Sequence, residues 1–233
     1  MKRLYNLGLT GILFLTLTIS CFAQTATPVR TGFKIDERIA VYNKSTGERI
    51  SLKEFSVILK NNPHPHLERE INERGEVSTL YYDPNGDGFE TRDINKRVKP
   101  NQPFPEFIFT TTANETIDSK ELTGKVVVLH FNMAFREPIA TQKTFTDFEN
   151  TIKNSPARDN TAVIILTHSS KEEISALTEK INVLYPVVHN SANFFHKFLV
   201  DRFPSYVVIK KDGTLGAYAA DLDELKLALS KLK

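Results

Sequence analysis

Residues Lys125 to Ile139 read KVVVLHFNMAFREPI, and the organisation of the chain turns on how this stretch divides. Val126 to Phe131 is apolar except for His130, the composition of a strand buried on both faces. Pro138 suits a first helical position, where its missing amide hydrogen costs nothing. Glu137 beside it suits the positive end of a helix dipole. The reading is strand, turn, helix start. A cation gains nothing at such an end, so Arg136 is directed either to solvent or to an anion that its planar guanidinium can hold by two bonds.

Outward from this stretch, strand and helix patterns alternate. Strands are expected at Phe107–Thr110, Val126–Phe131, Val163–Thr167, Pro186–His189, Tyr206–Lys210 and Leu215–Ala219, with helices after Pro138, Lys171, Ser191 and Leu222. Phe194, Phe195, Phe198 and Leu199 form one bulky helical face. Residues 101–233 therefore read as an α/β domain, a mixed central sheet with flanking helices. Upstream, residues 33–100 read as a small α+β region. Arg38 to Asn43 alternates like a strand and Lys44–Gly47 turns. Ser51 with Glu54 makes a capping box for a helix carrying Leu52, Phe55, Ile58 and Leu59. Asn61-Asn62-Pro63 stops it, and Leu67–Ile71 with Val77–Tyr82 flank the Asn72–Gly75 turn as a hairpin.

Three spaced landmarks carry a family resemblance over residues 103–233. Pro103-Phe104-Pro105-Glu106-Phe107 resembles the P-x-F entry of redoxin domains. Gly124, Lys125, Phe131, Phe135 and Pro138 keep their places in the pattern G-K-hydrophobic run-F-W-A-x-W-C-x-P-C of the redoxin and TlpA-like thiol–disulfide oxidoreductases. Arg202 to Gly213, RFPSYVVIKKDG, resembles the later P-T-x-x-x-I-D-x-D-G segment. The resemblance implies a thioredoxin-like α/β sandwich and thiol chemistry. It also implies that Pro204 is a cis-proline facing the motif and holding extended peptides. Both motif sulfurs are replaced, by Arg136 and Ile139. A thiolate at a helix start is the nucleophile of that chemistry. Arginine stays protonated and isoleucine cannot resolve a mixed disulfide.

The chain's single cysteine, Cys21, lies in residues 1–23, which have the pattern of a signal peptide: Lys2 and Arg3, an apolar run from Leu7 to Ile19, and Cys21-Phe22-Ala23 as a cleavage site. Leu17 to Cys21 also loosely resembles a lipoprotein box, leaving lipidation of Cys21 as the other outcome. Gln24 to Gly32 reads as a linker. Export is the expectation, to the periplasm or beyond, with no membrane span after the leader. Without Lys2 and Arg3, basic and acidic residues balance at 28 each. That balance, with no basic stripe, points away from nucleic acid and anionic lipid.

Asp83, Asn85 and Asp87 stand at positions 1, 3 and 5 of a sequence that begins like a calcium loop, but position 12 is Ile94 instead of a bidentate Glu. A Pro-Asn-Gly-Asp-Gly turn explains the same residues without a metal, so weak Ca²⁺ binding and a plain turn are both open. His64 and His66 lack an identifiable third metal ligand. His130 and His168 read as core or rim positions, and Ser169-Ser170 as a helix cap ahead of Glu172 and Glu173. No phosphate loop, zincin motif or nucleophile elbow is present.

The leading expectation is an exported, redox-inactive thioredoxin-like protein. It would bind a protein or peptide of the cell envelope through Phe135, Arg136, Glu137, Pro138 and Ile139 opposite Pro204, with no catalytic residue and no cofactor apart from the open Ca²⁺ question. A thiol–disulfide oxidoreductase or peroxidase of the redoxin class is the second reading. A scaffold whose partner surface lies on residues 33–100 is the third.

Overall fold

In the computed structural model, which describes residues 37–86 and 93–232, a four-stranded sheet comes first. It comprises β1 (Ala40–Asn43), β2 (Arg49–Ile50), β3 (His66–Ile71) and β4 (Val77–Asp83), with α1 (Leu52–Asn61) between β2 and β3. The order is β2-β1-β4-β3, with β1 parallel to β4 and the other pairs antiparallel. The Ser51 hydroxyl accepts from the Glu54 amide and Glu54 answers to the Ser51 amide, the expected capping box. That start sets the phase that turns Phe55, with Leu52, Ile58 and Leu59 beside it, onto Ile39, Val41, Val77 and Leu80.

The larger part holds β5 (Ile108–Thr110), β6 (Thr116–Asp118), β7 (Val126–Asn132), α2 (Gln142–Lys153), β8 (Thr161–Thr167), α3 (Lys171–Thr178), β9 (Val187–Val188), α4 (Ala192–Lys197), β10 (Ser205–Ile209), β11 (Leu215–Ala219) and α5 (Leu222–Ser230). Its main sheet runs β11-β10-β7-β8-β9, parallel across β7, β8 and β9 and antiparallel at β10 and β11. All seven residues of β7 are buried, as its apolar run requires. Helices α2, α3 and α5 cover one face through Phe145, Phe148, Ile174, Leu225 and Leu229. On the other face α4 and the β5–β6 ribbon bring Phe194, Phe195, Phe198 and Phe109 against Leu129, Phe131 and Leu166. Each phenylalanine fully withdrawn from water there contributes roughly 1.5–3 kcal/mol. This mixed sheet with helices on both faces is the thioredoxin-like sandwich that the sequence pattern resembles.

Two expectations change. The strand over Phe107–Thr110 starts at Ile108 and does not join the main sheet; it pairs with β6, whose Thr-Ile-Asp carries no periodic signal. Pro138 does not open a helix. Helix α2 begins at Gln142, where the Thr141 hydroxyl accepts from the Thr144 amide and the Thr144 hydroxyl accepts from the Thr141 amide. The start signal is a threonine cap, which satisfies free amides directly, where a proline only lacks one.

The described residues 37–86 and 93–232 belong to one compact unit, and the Asn72–Gly75 turn shows how the four-stranded sheet is joined to the larger part. The Asn193 side chain donates to the Gly75 carbonyl at 2.8 Å, and Lys197 donates to the carbonyls of Asn72 at 2.9 Å and Ile71 at 3.2 Å. The Ile108 amide donates to the Glu73 carbonyl. Gly75 has φ +78°, and a Cβ there would lie 2.6 Å from the Phe194 ring. Glycine is required at this position twice over, by conformation and by space.

Candidate functional site

The loop between β7 and α2 is held at its base and free at its tip. The Met133 carbonyl accepts from the His168 amide at 3.3 Å and from the Thr167 hydroxyl at 3.4 Å, tying the loop to the end of β8. The Phe135 amide donates to the buried Ser169 hydroxyl at 3.0 Å, and the Phe135 ring packs 5.4 Å from Phe145. Ala140 is fully buried at the other end. Between these anchors Arg136, Glu137, Pro138 and Ile139 are all exposed. The Arg136 carbonyl accepts from the amides of Ile139 and Ala140, closing the tip into a turn.

Arg136 therefore does not face a helix dipole. It precedes the first residue of α2 by six positions, and the free amides there answer to Thr141. The tip presents a cation and an anion side by side, flanked by two unusually exposed apolar side chains, Met133 at 43% and Ile139 at 40%.

Pro204 lies just before β10. The pairing of Ser205 with Phe131 sets it level with the end of β7, where the loop leaves the sheet. The Phe203–Pro204 and Glu137–Pro138 peptides are both cis. The Phe203 ring packs 5.2 Å from Phe195 and 6.0 Å from His168, so this end of β10 is fixed from the α4 side. On the α2 side Pro204 borders a cavity of about 990 Å³ between α2 and α5, which also reaches Tyr206, Asp147 and Asp221; Arg136–Ile139 are not part of its wall. The structure thus puts the tip and Pro204 at the same end of the sheet, but only Pro204 lines the cleft.

Beneath the loop, His130 is buried on the α2 face with its ring 4.5 Å from Phe148 and 4.8 Å from Tyr206. Its Nδ1 has no hydrogen-bond partner. Burial alone pushes its pKa down to about 3, because a charged imidazolium would have to give up its water. His130 is neutral at physiological pH and acts as an aromatic wall.

Two contributors escaped the sequence reading. The sequence suggests Ser169 and Ser170 together as a cap, yet only Ser170 caps α3, accepting from the Glu173 amide, while the Ser169 hydroxyl accepts from the Phe135 amide. A doubled serine where one cap suffices was the available signal. Tyr206 read as an ordinary strand residue, and its place on the cleft floor has no local signal. The calcium-loop residues are only partly visible. Asp83 accepts from the Asn85 amide at 3.0 Å and faces the Lys44 ammonium at 3.5 Å, both of which hold its carboxyl below the ordinary range. Asp87, like Cys21, lies outside the described residues. No cluster of three metal-ligating side chains occurs among the described residues, and no described helix is long and apolar enough to cross a membrane.

The family model described as Redoxin matches residues 99–224. A search of the curated proteins finds no match. Among solved structures, a thiol-disulfide oxidoreductase from Bacteroides fragilis is similar at 13% identity and a TM-score of 0.48, over 56% of this chain and 98% of that one. The thioredoxin domain of a thiol-disulfide oxidoreductase from Bacteroides vulgatus is similar at 13% identity and 0.48, over 57% and 97%. A thioredoxin-like protein from Aeropyrum pernix is similar at 17% identity and 0.45, over 55% and 89%.

Proposed function

The chain belongs to the Redoxin family, and from that premise we propose that it is an exported, redox-inactive member that binds a protein or peptide in the cell envelope through the loop tip Arg136–Ile139 and the neighbouring Pro204. The observation that carries this reading is the build of the loop. Its base is fixed by Phe135, Ser169 and Ala140, so the tip is displayed on a rigid support and loses little freedom on binding. The tip offers Arg136 for a carboxylate and leaves Met133 and Ile139 exposed beside it, the mixture of an apolar anchor and a bidentate cation that is common at interface centres.

The positions that would carry sulfur are an arginine and an isoleucine, and the chain's one cysteine is Cys21. Thiol–disulfide exchange needs an attacking thiolate and a second sulfur to resolve the mixed disulfide, and neither side chain supplies one. Export rests on the sequence of residues 1–23.

Affinity capture from an envelope extract, with wild type and Arg136→Ala side by side, tests the proposal. A captured protein lost with Arg136→Ala is the expected result, and an unchanged capture profile sinks the role of the tip. A disulfide-reduction and peroxide assay on the full chain should be blank; sustained turnover would reverse the redox-inactive reading in favour of the oxidoreductase activity typical of the family.

A further inference from the structure

Sulfur is scarce in this chain, and where it stands is informative. The chain has one cysteine, Cys21, two methionines, Met1 and Met133, and no tryptophan. Met133 is therefore the only sulfur among the described residues. Methionine is ordinarily a buried residue whose flexible thioether fills gaps in a core. Here it belongs to none of the core clusters of the described residues and is 43% exposed beside the loop tip.

The backbone at this position is fixed while the side chain reaches solvent. Met133 directly follows β7, whose last residue, Asn132, pairs with Thr167. Its carbonyl accepts from the His168 amide at 3.3 Å and the Thr167 hydroxyl at 3.4 Å. A chemical change at the far end of the side chain leaves both bonds in place. A thioether also needs no deprotonation before it reacts, so the loop requires no base beside it.

Hydrogen peroxide is a sufficient co-reactant. A sulfur lone pair attacks one peroxide oxygen, an S–O bond forms as the O–O bond breaks, and a proton shift releases water. The thioether loses two electrons and becomes a sulfoxide, and the peroxide is reduced. Inside a core the new S–O dipole would be buried without a partner, whereas at an exposed position water solvates it. Cys21 and Met1 both lie within residues 1–23, so the folded part offers an oxidant one soft target. One peroxide is consumed at Met133, which is not turnover. The product turns an apolar side chain in the same loop as Arg136 and Ile139 into a polar, chiral one.

We propose that Met133 is a peroxide-modification site that switches the loop tip between an apolar and a polar surface while the fold stays intact. The switch presupposes that the tip is the binding surface proposed for it, and it acts on that same surface.

Treating the full-length protein with hydrogen peroxide, quenching with catalase at intervals and mapping the peptides by mass spectrometry tests this. Met133 should gain one oxygen at a rate within about threefold of that in the urea-unfolded chain, as an accessible thioether does. A much slower rate in the folded protein shows a shielded sulfur and overturns the proposal. The oxidised protein should keep the wild-type midpoint in urea; a clear fall means that the side chain serves packing, and also overturns it. Capture from envelope extract should drop about tenfold or more on oxidation, as loss of one buried methionine contact does, and recover after treatment with methionine sulfoxide reductases. Met133→Leu, whatever it captures, should show no peroxide dependence, and dependence that persists in it counts against the switch. The two readings fail separately. Capture that ignores Arg136→Ala removes the tip as a binding surface and the switch with it. Capture that is lost in Arg136→Ala but undiminished in the oxidised wild type leaves the tip standing and overturns the switch alone.

Discussion

Replacing Arg136 and Ile139 together by cysteine, in a Cys21→Ser background, tests whether the loop tip is the remnant of a dithiol site. The Ile139 amide lies 2.9 Å from the Arg136 carbonyl. A turn closed by that i to i+3 bond brings its end Cα atoms within about 7 Å, and a disulfide is accommodated between about 4.4 and 6.8 Å. Oxidation should therefore need little backbone movement. Closing a loop of only four residues removes limited freedom from the unfolded chain: the loop-entropy relation gives about 2 kcal/mol of stabilisation at 25 °C. The assay is thiol titration after equilibration with a glutathione buffer, followed by urea unfolding of the oxidised and reduced forms. Two titratable thiols should vanish on oxidation, and the oxidised form should be the more stable. A folded double variant that keeps both thiols in oxidised glutathione would refute the placement of positions 136 and 139 at the motif sulfurs, and with it the account of the tip as a site that kept its frame and lost its chemistry.

Further tests address the supports of that frame. Thr141→Ala should cost about 1 kcal/mol in urea unfolding by removing the α2 cap, whereas Pro138→Ala should leave the helix content in circular dichroism unchanged, because α2 starts beyond it. Gly75→Ala should destabilise by about 1–3 kcal/mol, since the new Cβ meets the Phe194 ring and the backbone is left-handed there; a midpoint equal to wild type would show that the turn does not bear on α4 as drawn. His130 should make stability depend on pH. Its folded pKa is about 3 and its unfolded value near 6.5. Above pH 6.5 both states are unprotonated there and the group is silent. As pH falls from 6.5 toward 3 the unfolded state alone takes the proton, and stability drops by up to about 1.4 kcal/mol per pH unit. The difference between wild type and His130→Leu, followed by urea unfolding from pH 7 to pH 4, should show this slope, and parallel curves would refute it.

The parts of this structure that were legible in the sequence are those governed by local chemistry. The apolar run Val126–Phe131 could only be a buried strand, Ser51 with Glu54 announces α1 by satisfying its own free amides, and Asn72–Gly75 makes the hairpin turn because glycine accepts φ > 0. Pro138 misled because proline tolerance is permissive: it allows a helix start without providing one, and the stronger signal lay in the paired hydroxyls of Thr141 and Thr144. Strand β6 was missed because three residues do not display a period. The site divides the same way. The Redoxin match over residues 99–224 supports the pattern at the level of family, and the placement of Arg136 and Ile139 at its sulfur positions rests on the resemblance. The inward turn of Ser169, the docking of Gly75 on Phe194 and the cleft bordered by Ser155, Tyr206 and Asp221 depend on segments more than 30 residues apart, and no window of sequence contains them.

The loop and the cleft also differ in what holds them, and that bears on what each can do. The tip needs a rigid base and a free end. Phe135, Ser169 and Ala140 provide the base, and no buried group is left waiting for a ligand at the end, so a partner there gains from shape and charge at little ordering cost. The cleft is the reverse case. Its walls are fixed by the packing of α2 and α5 on the sheet, and the Ser155 hydroxyl beside it is buried without a partner, a cost of about 1–3 kcal/mol carried by the fold itself. The Ser155 oxygen has almost no exposed surface, so its hydroxyl belongs to the interior of the fold and is not a contact offered to the cleft.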